Sequence, residues 1–466
     1  MSVSIRDLMT DPALYGKQFG GDTWASWRAL LAMFYGEPLE DGELDLLKRI
    51  TGLSEIQQAE CIELWLVMGR RGGKTFVAAL VAIYEAAFVD HRDKLAPGER
   101  ATVFGISPDR KQSRTFMRYV SGLLHANPML EKMIVREDRE SIELSNRSVI
   151  EVGTASFRSV RGYSLAAVVC DEIAFWRSDE SANPDVEIIN ALRPAMATLS
   201  GKLICLSSPY SKRGELWNTY RRHYGEQGDI LVAQADTRTM NPSLSESVIK
   251  RAYERDPAAA AAEYGAQFRT DIESFIDRSL LEALVRDGPA ELAPDHRHTY
   301  SAFCDPAGGG ADAFTLAIGH MDQGKVVVDV LRDRRGPPGS IVAEYAHLLH
   351  MYHLRAVTGD KYAGQWPAQE FARHDIHYHH ADKSKSDLYI ETLASINNRR
   401  VELPDSDRLL NQFSVLERKT SRAGKDSIDH PPGGHDDLAN AVAGLVATMT
   451  QRKRGIDFRP RFEFAI

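Results

Sequence analysis

The sequence predicts an α/β protein of two domains, a parallel sheet interleaved with helices and then a smaller mixed sheet. Three observations predict it. Short apolar runs at 61–68, 101–106, 148–153, 165–170, 202–206 and 230–235 alternate with helix-compatible stretches. Three further runs, at 299–304, 314–320 and 325–331, follow one another across short Gly- or Asp-containing turns, as an antiparallel meander does. Acidic residues sit at the ends of two of these runs, which places charged groups at the edge of a sheet.

A chain of 466 residues is long enough for two or three cores, and its 43% hydrophobic and 26% charged residues are those of an ordinary globular protein. No stretch approaches the ~20 apolar residues of a membrane span, so no membrane partner is expected. The start, MSVSIRDLMTDPAL, lacks the basic and apolar regions of a secretory signal. Cys61, Cys170, Cys205 and Cys304 form no C-x-x-C pair and read as small core hydrophobes in a reducing compartment. A net charge of −8 argues against wholesale coating of nucleic acid but leaves room for a local basic track. The expected order is a helical lead-in (1–55), a first α/β domain (56–240), a helical linker (241–290), a strand-rich second domain (291–450) and a basic tail (451–466).

The first domain opens on a nucleotide loop. Residues 68–75 read Met68-Gly69-Arg70-Arg71-Gly72-Gly73-Lys74-Thr75, against the pattern G-x-x-x-x-G-K-[ST]. The first glycine is replaced by Met68, and Gly69 follows one residue late. The chemistry rests on the other end of the loop. Backbone amides around Gly72 and Gly73 cradle phosphate oxygens, Lys74 reaches the β- and γ-phosphates, and the Thr75 hydroxyl holds Mg²⁺. The run 61–68 before the loop suits a buried strand, and Phe76 to Val89 suits a helix. ATP with Mg²⁺ is the expected cofactor.

About 95 residues on, the run Leu165–Cys170 ends in Asp171-Glu172. In phosphate-loop enzymes an aspartate here holds Mg²⁺ and the following glutamate polarises the attacking water; two acids after a strand can also simply start a helix. Arg158 and Arg161 are candidates for an arginine that stabilises transition-state charge, in cis or from a neighbouring subunit, or are ordinary surface groups. Ser207-Ser208-Pro209 follows the next strand, where nucleotide-sensing hydroxyls sit, and is also a turn signal.

The second domain carries spaced carboxylates. Asp305 ends the first meander strand, Asp360 ends the strand after a helix (340–352), and Asp436-Asp437 begin a helix running to about Met449. Ribonuclease-H-type nucleases hold their acids in this order. Two Mg²⁺ or Mn²⁺ ions about 4 Å apart need several carboxylates to bind and neutralise them. Each acid has a structural reading as well: turn residue, loop residue or helix cap. Of the helix pair, Asp436 is slightly preferred as the metal-facing residue. Asp312 is a weaker fourth candidate. His374, His377, His379 and His380 near Asp382 alternate as an exposed strand face does, and do not have the spacing of a closed zinc site. Lys383, Lys385, Arg399, Arg400, Arg418, Lys419, Arg422 and Lys425 could line a DNA track or form a solvated face.

Taken together, MGRRGGKT, RGYSLAAVVCDE, LSSPYSKRG, AEYGAQF, CDPAGGG, TGDKYAG and GGHDDLANAVAGL resemble the large terminase subunit of tailed bacteriophages. The resemblance runs from about Trp24 to about Met449. It implies a phosphate-loop ATPase of the RecA/ASCE kind joined to a ribonuclease-H-like nuclease with a mixed sheet. It also implies ATP-driven movement of double-stranded DNA into a prohead and two-metal cutting at initiation and termination. Ser207 and Ser208 would couple hydrolysis to movement, and Trp24 or Trp27 would lie near the adenine. Its implied partners are a small terminase subunit, the prohead's portal protein and a homo-oligomeric, pentameric ring that is monomeric in isolation. The implied location is the cytoplasm of an infected bacterial host, with transient attachment to the prohead and absence from the mature virion. The competing readings are a helicase or remodeller with an appended nuclease, which would need a second RecA-like domain, and a non-catalytic DNA-binding scaffold.

Overall fold

The computed structural model describes residues 3–155, 162–177, 183–306, 313–360, 364–420 and 426–452. The chain forms two compact units, the first extending to Asp271 and the second beginning at Ile272. That division falls inside the segment 241–290 read as a linker. Helices Glu246–Arg255 and Pro257–Glu263 belong to the first unit, and helix Arg278–Glu282 to the second.

The first unit is built on eight strands: β1 (Glu63–Met68), β2 (Ala101–Ser107), β3 (Ile134–Glu137), β4 (Ser141–Leu144), β5 (Ser148–Thr154), β6 (Ser164–Asp171), β7 (Lys202–Ser207) and β8 (Ile230–Ala235). Their order is β3-β4-β5-β2-β6-β7-β1-β8, parallel from β5 to β8 with an antiparallel extension β3-β4-β5 at one edge. The central strands read as continuous apolar runs because both faces are covered. Leu64, Leu66, Val103 and Val169 face one cluster with the lead-in helices and the helices Lys74–Ile83 and Arg110–His125. Trp65, Val67, Val168 and Cys205 face another, with Ile188 and Leu192 of helix Pro184–Met196. Helix Arg110–His125 starts where the Asp109 carboxylate accepts from the amides of Lys111 and Gln112, a common N-terminal cap. The six predicted runs match six of these strands to within two residues. The edge strands β3 and β4 fall outside those runs; each is only four residues long and β3 is largely exposed, so they carry little apolar signal.

The second unit contains β9 (Ile272–Ser274), β10 (Tyr300–Asp305), β11 (Phe314–Asp322), β12 (Lys325–Arg334), β13 (Ala356–Gly359), β14 (His377–His380), β15 (Val401–Glu402), β16 (Glu417–Thr420) and β17 (Asp426–Asp429). Six of them make a mixed sheet in the order β14-β13-β10-β11-β12-β15, and β17-β16-β9 make a small antiparallel sheet. The expected meander is β10-β11-β12, to which β13 and β14 add in parallel register. Of the four histidines, His377, His379 and His380 lie on the edge strand β14, which is mostly exposed, and His374 lies in the turn before it. Helix Pro338–Met351 covers one face with Val342, Tyr345 and Leu349. Helices Lys385–Asn397 and Asp437–Arg452 cover the other around Phe303, Tyr389, Val442 and Leu445. All four cysteines are buried and unpaired. Among the described residues no helix is long and apolar enough to cross a membrane.

The C-terminal helix approaches β10 closely. A Cβ added at Gly444 would run into the Phe303 ring, so the helix can lie against the sheet only with glycine there. Gly444→Ala is expected to destabilise the second unit by about 1–3 kcal/mol through overpacking, seen as a lower urea midpoint for that unit's transition.

Candidate functional site

The nucleotide loop lies between β1 and helix Lys74–Ile83. Met68 is the last residue of β1 and pairs with Ala235 of β8; its side chain is fully buried, so it belongs to the core rather than to a phosphate site. Gly69 is the position that has to be small. A Cβ there would stand 2.7 Å from the Thr237 amide nitrogen and from the Tyr264 carbonyl oxygen. The late glycine thus lets the segment 237–264 close onto the loop. The Thr237 hydroxyl donates to the Arg70 carbonyl at 2.8 Å, the Asn241 amide donates to the Arg71 carbonyl at 2.8 Å, and the Arg70 amide donates to the Glu263 carbonyl. From the opposite side the Trp27 indole N–H donates to the Gly72 carbonyl at 2.8 Å. Trp27 is therefore a buried brace of the loop. Arg70 makes an exposed ion pair with Glu263, and Arg71 sits at φ 65 with its side chain exposed. Gly73, at φ 92, is the turn into the helix, where a left-handed backbone favours glycine.

Lys74 is buried, and its ammonium donates to the carbonyls of Met68 (3.1 Å) and Gly69 (3.2 Å) and to the Ser208 hydroxyl (3.1 Å). Burial lowers its pKa, against the opposing pull of Glu172 and Asp171. Asp171 ends β6, and the Thr75 hydroxyl lies 3.4 Å from its carboxylate. Burial, with Glu172 beside it, pushes the Asp171 carboxyl up to about 7. Glu172 takes a left-handed backbone (φ 50), uncommon for a residue with a side chain. One of its oxygens, Oε2, accepts from the Ser207 hydroxyl (3.0 Å) and the Ser208 amide (3.1 Å), and Oε1 lies 3.8 Å from the Lys74 ammonium. The sheet order explains the meeting: β7 lies between β1 and β6, so Ser207 and Ser208 fall between Lys74 and Glu172. Thr75 and Asp171 offer the hard oxygen donors that Mg²⁺ takes. The donor set fits Mg²⁺ with a nucleoside triphosphate. Arg158 and Arg161 lie outside the described residues.

In the second unit, Cys304 of β10 pairs with Gly359 of β13, so Asp305 and Asp360 leave adjacent strand ends together. A Cβ at Gly359 would stand 2.8 Å from the Cys304 carbonyl oxygen, which is why the strands need glycine there. On the other side, Asp305 pairs with Thr315 of β11, whose hydroxyl donates to the Asp437 carbonyl at 2.9 Å. The Asp437 carboxylate accepts from the Ala313 amide at 3.2 Å. One turn on, the Asn440 amide donates to Asp305 Oδ2 at 2.7 Å. Burial raises the Asp305 carboxyl to about 7; the Asn440 hydrogen bond opposes this, and Asp437, Asp360 and Asp436 add to it in that order.

Asp436 is occupied otherwise. It is buried, the Lys385 ammonium lies 2.9 and 2.7 Å from its two oxygens, and the Tyr389 hydroxyl donates to Oδ2 at 2.8 Å. The packing separates the pair that the sequence leaves nearly equivalent: Asp436 is engaged by Lys385 and Tyr389, whereas Asp437 is the partly exposed carboxylate. Asn440 Oδ1 is buried with no hydrogen-bond partner among the described residues, an oxygen that a cation or its water can use. Carboxylates at these neighbouring element ends, Asp305, Asp360 and Asp437, and this orphaned oxygen are hard donors of the kind a divalent metal takes. Asp312, Arg422 and Lys425 lie outside the described residues. Asn440 is legible in the sequence as a residue three positions after Asp437 on one helix; Trp27, Thr237 and Asn241 reach the loop from distant segments and leave no local signal.

The chain is similar in structure to large terminases of bacteriophages. The bacteriophage HK97 large terminase matches over 91% of this chain and 99% of its own, with 15% identity and a TM-score of 0.38. The large terminase of a thermophilic bacteriophage, in complex with ADP, matches over 91% and 98%, with 12% identity and a TM-score of 0.38. The large terminase nuclease of thermophilic phage G20c with bound magnesium covers 38% of this chain and 97% of its own, at 20% identity and a TM-score of 0.32. No family model and no curated protein sequence matches. At such identities and TM-scores, the residues of the two sites carry the functional reading.

Gly69→Ala should separate Thr237 from the loop and lower ATP affinity at least tenfold, measured by titration with a fluorescent ATP analogue. The raised carboxyls give a pH prediction. A carboxyl whose folded pKa lies near 7 adds stability while protonated and loses it as pH rises through 7. Divalent ions compete with those protons, so the rise in melting temperature given by Mg²⁺ should be larger at about pH 8 than at about pH 5.5. Asp305→Asn should flatten that dependence for the second unit's transition.

Proposed function

We propose that this chain is the motor and nuclease of a viral DNA-packaging machine, of the large-terminase kind. The observation that carries the reading is the presence, in one chain, of two separate strand-end sites. Lys74, Thr75, Asp171, Glu172 and Ser208 form one; Asp305, Asp360 and Asp437 form the other.

In the first, Lys74 exchanges its backbone carbonyl partners for phosphate oxygens, and Thr75 and Asp171 hold Mg²⁺. Glu172, with Oε2 fixed by Ser207 and Ser208, keeps Oε1 to orient a water for attack. Because Ser208 bonds to both Lys74 and Glu172, a change at the phosphates is felt at the end of β7, which suits Ser207 and Ser208 for coupling hydrolysis to movement. In the second, Asp305, Asp360 and Asp437 hold two Mg²⁺ or Mn²⁺ ions, and Asn440 fixes the orientation of Asp305. When bound, the ions supply Lewis acidity and charge neutralisation at the scissile phosphodiester. The acid-bearing mixed sheet, with β13 and β14 parallel to β10, favours a nuclease over the second RecA-like domain that a helicase needs.

The substrate in this reading is double-stranded DNA. The partners are a small terminase subunit, the portal protein and further copies of this chain in a ring, at the prohead in an infected bacterium. The test uses purified protein, plasmid DNA and Mn²⁺. Lys74→Ala and Glu172→Gln should each reduce ATP hydrolysis at least a hundredfold and leave cutting largely intact. Asp305→Ala should abolish cutting and leave hydrolysis within about twofold. Cutting by Asp305→Ala at the wild-type rate sinks the nuclease assignment.

A further inference from the structure

Immediately before Asp437 in the chain, Asp436 takes part in a cluster that the proposed chemistry does not use. Asp429 at the end of β17, His430 and the buried Asp436 bring one ligand atom each within 4.8 Å of one another, close enough to share a cation. His430 Nε2 lies 3.8 Å from Asp429 and 4.0 Å from Asp436. A cation is already there. The Lys385 ammonium stands 3.0 Å from Asp429 Oδ1 and 2.9 Å from Asp436 Oδ1.

Lys385 is placed by its helix. It is the first residue of Lys385–Asn397, behind the Ser384 cap, and Tyr389 one turn later donates to the same Asp436 carboxylate. Between them, the Ser386 hydroxyl donates to the Ile428 carbonyl at 3.1 Å and accepts from the Ile428 amide at 3.1 Å, fastening β17 to this helix end. Three functional groups on the first turns of one helix thus fix both β17 and the residue immediately before Asp437.

We infer that Lys385 is a positioning residue: a built-in cation that fills the Asp429–His430–Asp436 socket, keeps Asp436 out of the metal site and so leaves Asp437 to the metal. A lysine suits this task because a compact point charge can sit among three ligand atoms without coordination geometry of its own. Without it, Asp436 and Asp429 are left as uncompensated carboxylates beside a metal-binding site. Such a pair recruits a divalent ion of its own, which competes with Asp437 for the neighbouring metal.

The inference rests on the nuclease reading above, and its test separates the two. Full-length protein without nucleotide is titrated calorimetrically with Mn²⁺, and plasmid cutting is measured in parallel. Lys385→Met should bind one more Mn²⁺ than the wild type and lose at least tenfold in kcat. Lys385→Arg, which restores the charge, should bind the wild-type number and recover at least half of that loss on a logarithmic scale. Unchanged ATP hydrolysis and melting temperature show that the variants fold, and Lys385→Gln replaces Lys385→Met if the latter does not. An unchanged Mn²⁺ number in the neutral variant, or an arginine variant that behaves like it, overturns the role of Lys385. If the wild type itself does not cut, or Asp305→Ala cuts equally well, the nuclease reading has failed instead.

Discussion

Withdrawing Asp171 and Asp305 from water at the ends of β6 and β10 lifts both carboxyls to about 7. Burial is the larger cause in each, and neighbouring acids add to it. Much of the local architecture manages that tension. In the first unit it is met by the buried Lys74 and by the Thr75 hydroxyl. In the second, Asn440 donates to Asp305, the Ala313 amide to Asp437, and Lys385 to Asp436. An isolated charged carboxylate in such surroundings would cost several kcal/mol, so these groups are held in a state that a divalent cation relieves. On the proposed function, metal binding would thereby be coupled to local stability in both units.

The two sites solve a common geometric problem in different ways. The first depends on a strand inserted between two others, which brings Ser207 and Ser208 to Lys74 and Glu172 at once. The second depends on close backbone approach, with Gly359 letting β13 lie against β10 and Gly444 letting the C-terminal helix lie against Phe303. The left-handed backbone at Glu172 belongs to the same economy of space. It turns the chain sharply at the end of β6 and is held by two hydrogen bonds to one carboxylate oxygen. Strained backbone of this kind persists only where the surroundings over-determine it.

The central strands are legible in the sequence because strands buried on both faces read as unbroken apolar runs, and the acids are legible because they follow such runs directly. What sequence does not convey is lateral. Asp436 and Asp437 are adjacent carboxylates, and only the packing of helix Lys385–Asn397 distinguishes them, since Lys385 and Tyr389 reach one and not the other. The resemblance places Trp24 or Trp27 near the adenine, and nothing local in the sequence shows that the Trp27 N–H is directed at the Gly72 carbonyl. The edge strands β3 and β4 and the sheet β17-β16-β9 are short and polar, and their pairing is decided by tertiary neighbours rather than by local pattern.

The nucleotide loop is tied from both sides before any ligand arrives: to Trp27 on one, and to Thr237, Asn241 and Glu263 on the other. A loop of glycines and arginines would ordinarily lose much backbone freedom when it wraps a phosphate chain. Here that ordering is completed during folding. Nucleotide binding then proceeds against a smaller entropic penalty, with a less unfavourable entropy than a floppy loop would give. The amide protons of Gly69 and Arg70 should exchange slowly even in the nucleotide-free protein.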